Sequence, residues 1–90
     1  MELSEIRKQI DKIDKKLVEL IKQRLDLIPE VAQYKLKNNI KRFQKKREAQ
    51  IISRNRKRAK ELKINPDLIE DILKRMIKES HRVEKKIMKK

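Results

Sequence analysis

Residues 3–37 read LSEIRKQIDKIDKKLVELIKQRLDLIPEVAQYKLK, and the spacing of their apolar positions decides the fold. Leu3, Ile6, Ile10, Ile13, Leu17, Leu20, Leu27, Val31 and Tyr34 follow one another in steps of three, four and once seven. Such steps keep one side of an α-helix apolar with heptad spacing. At ~1.5 Å per residue the helix is ~50 Å long, against a mean helix of ~11–12 residues. It therefore needs a second long helix beside it, from the same chain or from another. Ser4, with acidic neighbours, offers a start, and Asn38-Asn39, tolerant of left-handed backbone, offers a stop. Pro29 removes one internal hydrogen bond at ~3 kcal/mol in an ordinary setting, and a bend is expected there.

Outward from this helix, residues 38–43 read as a connector. A second helix is expected from about Gln44 to Leu62, with Glu48, Ile51, Ile52, Asn55, Ala59 and Leu62 on one side. Asn65-Pro66-Asp67 is a third start, with Asn as cap and Pro at the first helical position. The third helix turns Ile69, Leu73, Met76, Ile77, Ser80, Glu84, Ile87 and Met88 inward and ends in a basic tail. No repeat and no strand pattern appears. Residues 1–90 thus read as a single all-α module with one long and two shorter helices.

The 90 residues carry 28 Lys or Arg against 14 Asp or Glu, a net charge of +14, with 37% apolar and 2% aromatic residues. A monomer of this size buries only ~60% of its unfolded surface and needs a staple, a metal or a partner subunit. Cysteine is absent and histidine occurs once, which excludes disulfides, thiolate metal sites and most His-rich ones. Glycine is absent too, which excludes a P-loop and a dinucleotide-binding fingerprint. A partner subunit remains. No stretch approaches ~18 apolar residues and no signal peptide precedes the helix, so a soluble cytoplasmic protein without membrane partner is expected.

Charges that interrupt the apolar faces carry the functional information. Arg24 stands where the heptad demands an apolar residue, between Leu20 and Leu27, and Arg7 and Lys35 share a flanking column with Ile21 and Ile28. All three cations are expected to point toward one partner surface. Ser80 and Glu84, four apart, lie among Met76, Ile77 and Ile87. Each has a bland reading. Arg24 can fix helix register or snorkel, Lys35 can favour the helix dipole, Glu84 can be solvated at a frayed end, and Arg47-Glu48 can be a surface pair worth under ~1 kcal/mol. Together, inward cations and a Ser/Glu pair need either internal partners or an anionic ligand, because unpaired buried charge costs several kcal/mol. Planar Arg forks match a small compound with more than one carboxylate.

The run Ile6-Arg7-x-x-Ile10-Asp11-x-Ile13-Asp14-x-x-Leu17-Val18-x-Leu20-Ile21-x-x-Arg24, followed by Lys35, Arg47-Glu48, Ser80 and Glu84, resembles the all-helical chorismate mutases in their stand-alone, single-domain form. The resemblance covers Leu3 to about Ile87. It implies an intertwined helical homodimer in which the long helices pair and each site takes Arg7 from one subunit and the rest from the other. It also implies roles: Arg7 and Arg24 on two substrate carboxylates, Lys35 on the ether oxygen and a carboxylate, Glu48 on the ring hydroxyl, Arg47 in support, Ser80 near the ring carboxylate and Glu84 facing the ether oxygen. By the same resemblance Lys35, Glu84 and Arg24 are expected to carry the catalysis, without cofactor or metal. The implied reaction is the rearrangement of chorismate to prephenate in Phe and Tyr biosynthesis, which needs a folded substrate and a stabilised ether oxygen but no nucleophile. Where the family usually has Pro-Ile/Val-x-Asp before the Arg-Glu pair, this chain has Lys41-Arg42-Phe43-Gln44, so Gln44 replaces a carboxylate in the binding set.

Two alternatives stand beside this reading. Isochorismate-pyruvate lyases resemble the same scaffold with a similar cationic pocket. Separately, residues 41–63 hold eleven Lys/Arg against Glu48 and Glu61, a net +9, which by charge alone reads as a nucleic-acid footprint. Only Tyr34 and Phe43 are available for stacking, and a solvated, thermophile-like surface accounts for the charge as well.

Overall fold

The structure, a computed structural model, describes residues 1–89. It contains three helices, α1 (Leu3–Lys37), α2 (Lys45–Glu61) and α3 (Pro66–Met88), with no strand among the described residues. Of the expected basic tail, Lys90 lies outside the described residues. α1 continues through Pro29. Among the described residues no helix is long and apolar enough to cross a membrane.

The helix ends follow from local chemistry. After α1 the Ile40 N–H donates to the Lys35 carbonyl at 2.8 Å and the Asn39 N–H to the Leu36 carbonyl at 3.4 Å, with Asn39 at φ 55°. α2 ends the same way, Ile64 on Ala59 at 2.8 Å and Lys63 on Lys60 at 3.1 Å, with Lys63 at φ 59°. Both are Schellman closures whose left-handed residue is usually glycine. In a chain without glycine they fall to Asn and, at roughly 1–2 kcal/mol of strain, to Lys. Asn65 caps α3 by accepting from the Asp67 N–H at 2.9 Å, with Pro66 at the first position. Ser4 does not cap α1. The flanking residue is Glu2, whose carbonyl accepts from Glu5 and Ile6, so the helix begins one residue ahead of the serine.

α3 packs on both other helices, while α1 and α2 do not pack on each other. The faces predicted for α2 and α3 are the ones turned inward, with Ala59, Ser80, Glu84 and Met88 buried. Leu62 is the exception: it is 53% exposed because it caps α2 where the chain reverses. On α1 the side covered by α3 runs through Ile21, Leu25, Ile28, Ala32 and Lys35, and nothing reaches the first twenty residues, all exposed. Arg7 therefore does not share a covered surface with Arg24 and Lys35 within one chain. The apolar column from Leu3 to Tyr34 also stays uncovered, between 40% exposed at Ile6 and 63% at Tyr34.

Burial is accordingly thin. Ala32, Ala59 and Met88 are the buried apolar residues among those described, and no large side chain is fully enclosed. The radius of gyration is 16.4 Å, against about 12 Å for a compact chain of this length.

Ion pairs supplement the α2–α3 contact. Arg56 reaches Asp67 at 2.9 Å and Glu70 at 3.0 Å, and Lys74 reaches Glu70 at 2.6 Å. The Lys74 hydrogen bond holds the Glu70 carboxyl below its ordinary value of 4.5, with partial burial opposing it. A carboxylate depressed on folding contributes stability above its ordinary value, and that contribution is lost as pH falls through the folded value. The wild-type melting temperature should therefore decline between about pH 5 and pH 3 more steeply than that of Glu70→Gln, which has no proton to take up there. Parallel declines in thermal melts across that range would remove Glu70 from the acid response.

Candidate active site

Arg24, Ile28, Val31 and Lys35 of α1, Gln44 with Arg47, Glu48 and Ile51 of α2, and Ile77, Ser80, His81 and Glu84 of α3 enclose a cavity of about 170 Å³. Seven of the eight residues singled out from the sequence line it: Arg24, Lys35, Gln44, Arg47, Glu48, Ser80 and Glu84. Arg7 does not. It lies 17 positions before Arg24, ~26 Å along the helix at ~1.5 Å per residue, and is exposed.

Lys35 and Glu84 form the centre. The Lys35 ammonium donates to Glu84 Oε1 at 2.7 Å and to the Arg42 carbonyl at 2.7 Å, with side chains 14% and 5% exposed. α1 thus grips both α3 and the connector through one side chain. Glu84 is not the solvated residue of the bland reading.

Arg24 is half-buried, and its protein hydrogen bond goes to a neutral partner, Ser80 Oγ, at 3.2 Å. The Ser80 hydroxyl donates in turn to the Met76 carbonyl at 3.0 Å, which holds its lone pairs toward Arg24. Arg47 donates to Gln50 Oε1 at 2.9 Å and does not pair with Glu48. Among the described residues neither guanidinium has a carboxylate partner. Gln44 stands at the N-cap of α2 without capping it, its amide donating to the Lys41 carbonyl at 2.8 Å.

Two participants were not singled out from the sequence. His81 lies between Ser80 and Glu84 and bonds Glu48 through Nε2 at 2.6 Å; Arg42, read as connector, approaches the other ring nitrogen at 2.8 Å. The signal for His81 was its i,i+3 relation to Glu84, which places both on one helix face. Arg42 had no comparable signal. Among the described residues no group of three or more His, Asp or Glu side chains is placed to hold a metal ion.

The cavity is smaller than the ~300–1,000 Å³ of ordinary ligand pockets. An open cleft of about 650 Å³ adjoins it, sharing Val31, Lys35 and Gln44 and extending over Leu27 and Tyr34 of the bare α1 column. Two unpaired guanidiniums, a serine hydroxyl and a buried ammonium–carboxylate pair in an all-helical frame define a half-enclosed site for a small anion.

Residues 6–85 match the family described as chorismate mutase type II, and the chain belongs to that family. The T-protein of Enterobacter agglomerans is 41% identical over 80 residues, 89% of this chain and 21% of the relative. The T-protein of Haemophilus influenzae is 33% identical over 79 residues, 88% of this chain and 21% of the relative. The chain spans about a fifth of the length of these curated relatives. No solved structure matches it.

Removing one member of the Lys35–Glu84 pair strands a buried charge, so Glu84→Ala should destabilise the fold by about 3 kcal/mol. Lys35→Met combined with Glu84→Leu should recover most of that loss while leaving the site non-functional. Urea unfolding of the three proteins checks this; equal stability of Glu84→Ala and wild type would mean the pair does not hold the helices.

Proposed function

We propose that the chain rearranges chorismate to prephenate in aromatic amino-acid biosynthesis. The observation that carries this reading is the convergence of seven sequence-expected residues on one cavity in a chain of the type II chorismate mutase family. The reaction is a [3,3]-sigmatropic shift, in which one C–O bond breaks as one C–C bond forms within a single molecule, and no group is transferred to the protein. Binding the folded conformer and stabilising charge on the ether oxygen supply the acceleration.

In this reading Arg24, with Ser80 beside it, takes one substrate carboxylate in place of the anion it lacks. Lys35 and Glu84 flank the ether oxygen, Lys35 donating to it as charge develops. Glu48 accepts the ring hydroxyl, and Arg47 and Gln44 close the α2 side. Arg7 takes the second carboxylate from another copy of the chain, which lays its α1 along the exposed column from Leu3 to Tyr34. Support comes from the exposure of nine apolar side chains along one side of that helix, since contiguous exposed apolar surface marks an interface, and from the open cleft beside the cavity.

The direct test is loss of chorismate with appearance of prephenate on mixing with the purified chain. Release of pyruvate from isochorismate, with chorismate untouched, would instead assign a lyase. Sharing of sites is tested by mixing Arg7→Ala with Arg24→Ala chains. Each parent should be inactive, and random reassociation should restore about a quarter of the sites, because half of the dimers are mixed and each holds one intact site. Mixtures that stay inactive although heterodimers form would place Arg7 outside the site.

A second prediction concerns Glu84. An ionised carboxylate only accepts, whereas an amide can accept from Lys35 and also donate to the ether oxygen. Glu84→Gln should therefore keep kcat at or above the wild-type level, and Glu84→Ala should lower it by about tenfold or more. Equal kcat in all three proteins would show that Glu84 takes no part in the reaction.

A further inference from the structure

His81 is the single histidine of the chain, and both of its ring nitrogens are engaged. Nδ1 lies 2.8 Å from Arg42 Nη1 and Nε2 lies 2.6 Å from Glu48 Oε2. A guanidinium has donors and no acceptor, so Nδ1 must accept from Arg42. The ring proton is then on Nε2, and His81 donates to Glu48 as a neutral imidazole. The opposite arrangement, Nδ1–H on Glu84 Oε2, is less favourable at 3.6 Å, beyond hydrogen-bond reach. Phe43 stacks on the ring with centroids 5.6 Å apart and planes 17° from parallel, which fixes its rotation.

The result is a directed chain, Arg42 to His81 to Glu48, built from three separate segments. It occupies Oε2 of Glu48 and leaves Oε1 without a protein donor among the described residues. Glu48, Ile77 and His81 also form the partition between the inner cavity and a groove of about 980 Å³ on the outer side of α2 and α3. The ring and the Glu48 carboxylate thus stand side by side in the wall that the two spaces share.

We propose that His81 is the positioning residue for Glu48: oriented by Arg42 and Phe43, its Nε2–H pins one carboxylate oxygen so that the other faces the substrate hydroxyl. The identity of that hydroxyl rests on the chorismate reading; the chain of hydrogen bonds does not. A carboxylate held by a second hydrogen bond loses less rotamer freedom when substrate binds, and its acceptor is already aimed. Arg42 serves both halves of the site, since its carbonyl accepts from Lys35 while its guanidinium orients His81.

Two measurements test this. In His81→Gln the amide nitrogen can stand where Nε2 stands and still donate to Glu48; His81→Leu keeps apolar contact with Phe43 and donates nothing. With chorismate as probe, Leu should lower kcat/KM by about tenfold, mostly through KM, and Gln should recover most of it, with melting temperatures of both within a few degrees of wild type. Equal kcat/KM in Leu, Gln and wild type would overturn the proposal. So would a Leu variant whose activity falls only in step with its folded fraction.

The second arm needs no turnover. ¹⁵N-labelled protein has one imidazole, whose two nitrogen shifts should report the neutral Nε2–H tautomer in wild type and an averaged pair in Glu48→Ala. An Nδ1–H tautomer, or averaging already present in wild type, would overturn the proposal. If wild type does not consume chorismate but shows the fixed tautomer, the functional reading fails and the Arg42–His81–Glu48 assignment stands.

Discussion

Lys35 is where α1, α3 and the connector become one structure. Its ammonium is divided between Glu84 and the carbonyl of Arg42, and the carbonyl of Lys35 itself closes α1 by accepting from Ile40. In a chain whose buried apolar side chains among the described residues are two alanines and a methionine, non-directional burial cannot alone set how far α1 slides along α3. A buried ion pair can, because only one register brings both charges into contact while every other strands them. Arg24 and Ser80 lie eleven residues before Lys35 and four before Glu84 respectively, ~16 Å and ~6 Å along their helices at ~1.5 Å per residue. Their hydrogen bond therefore depends on the reach of the long Arg24 side chain as well as on that register.

The same pair places charge in the wall of the cavity. α1 and α2 do not pack on each other, and the space between them is filled by long side chains from both and from α3. Two of those, Arg24 and Arg47, end without a carboxylate. A cavity maintained by its own charges stays open when empty. Collapse would bring guanidiniums together without their water. The site opens toward the bare column of α1 through the adjoining cleft.

Much of this was readable before the structure, for reasons that differ by element. α1 was legible because its steps of three and four persist over nine apolar positions, and α3 because Asn65-Pro66 marks its start and Ser80 and Glu84 interrupt an otherwise apolar face. α2 was legible mainly by its neighbours' stops and starts, since its own apolar face is thin, and Leu62 was misplaced for that reason. Ser4 misled because a serine near acidic residues has the composition of a cap without necessarily having its backbone. His81 and Arg42 were missed for a deeper reason: a lone histidine and a connector arginine acquire meaning only through each other and through Glu48, 33 residues earlier. Periodicity reports which face a residue occupies and nothing about what arrives opposite it.

The uncovered column of α1 links stability to chemistry. Half-burying Arg24, Lys35, Glu48 and Glu84 costs desolvation that a small chain with a net charge of +14 can offset only weakly from within, since few of its apolar side chains are covered. In the proposed pairing, a second α1 over the column from Leu3 to Tyr34 would supply apolar burial outside the cavity, where it would stabilise the frame without filling the site. It would also bring in the stretch of α1 that its own chain leaves bare and that holds Arg7. Under that proposal the length of α1 would have two consequences that cannot be separated: shortening it by the first two turns would remove both the part of the seam nearest its start and the cation proposed for the second carboxylate.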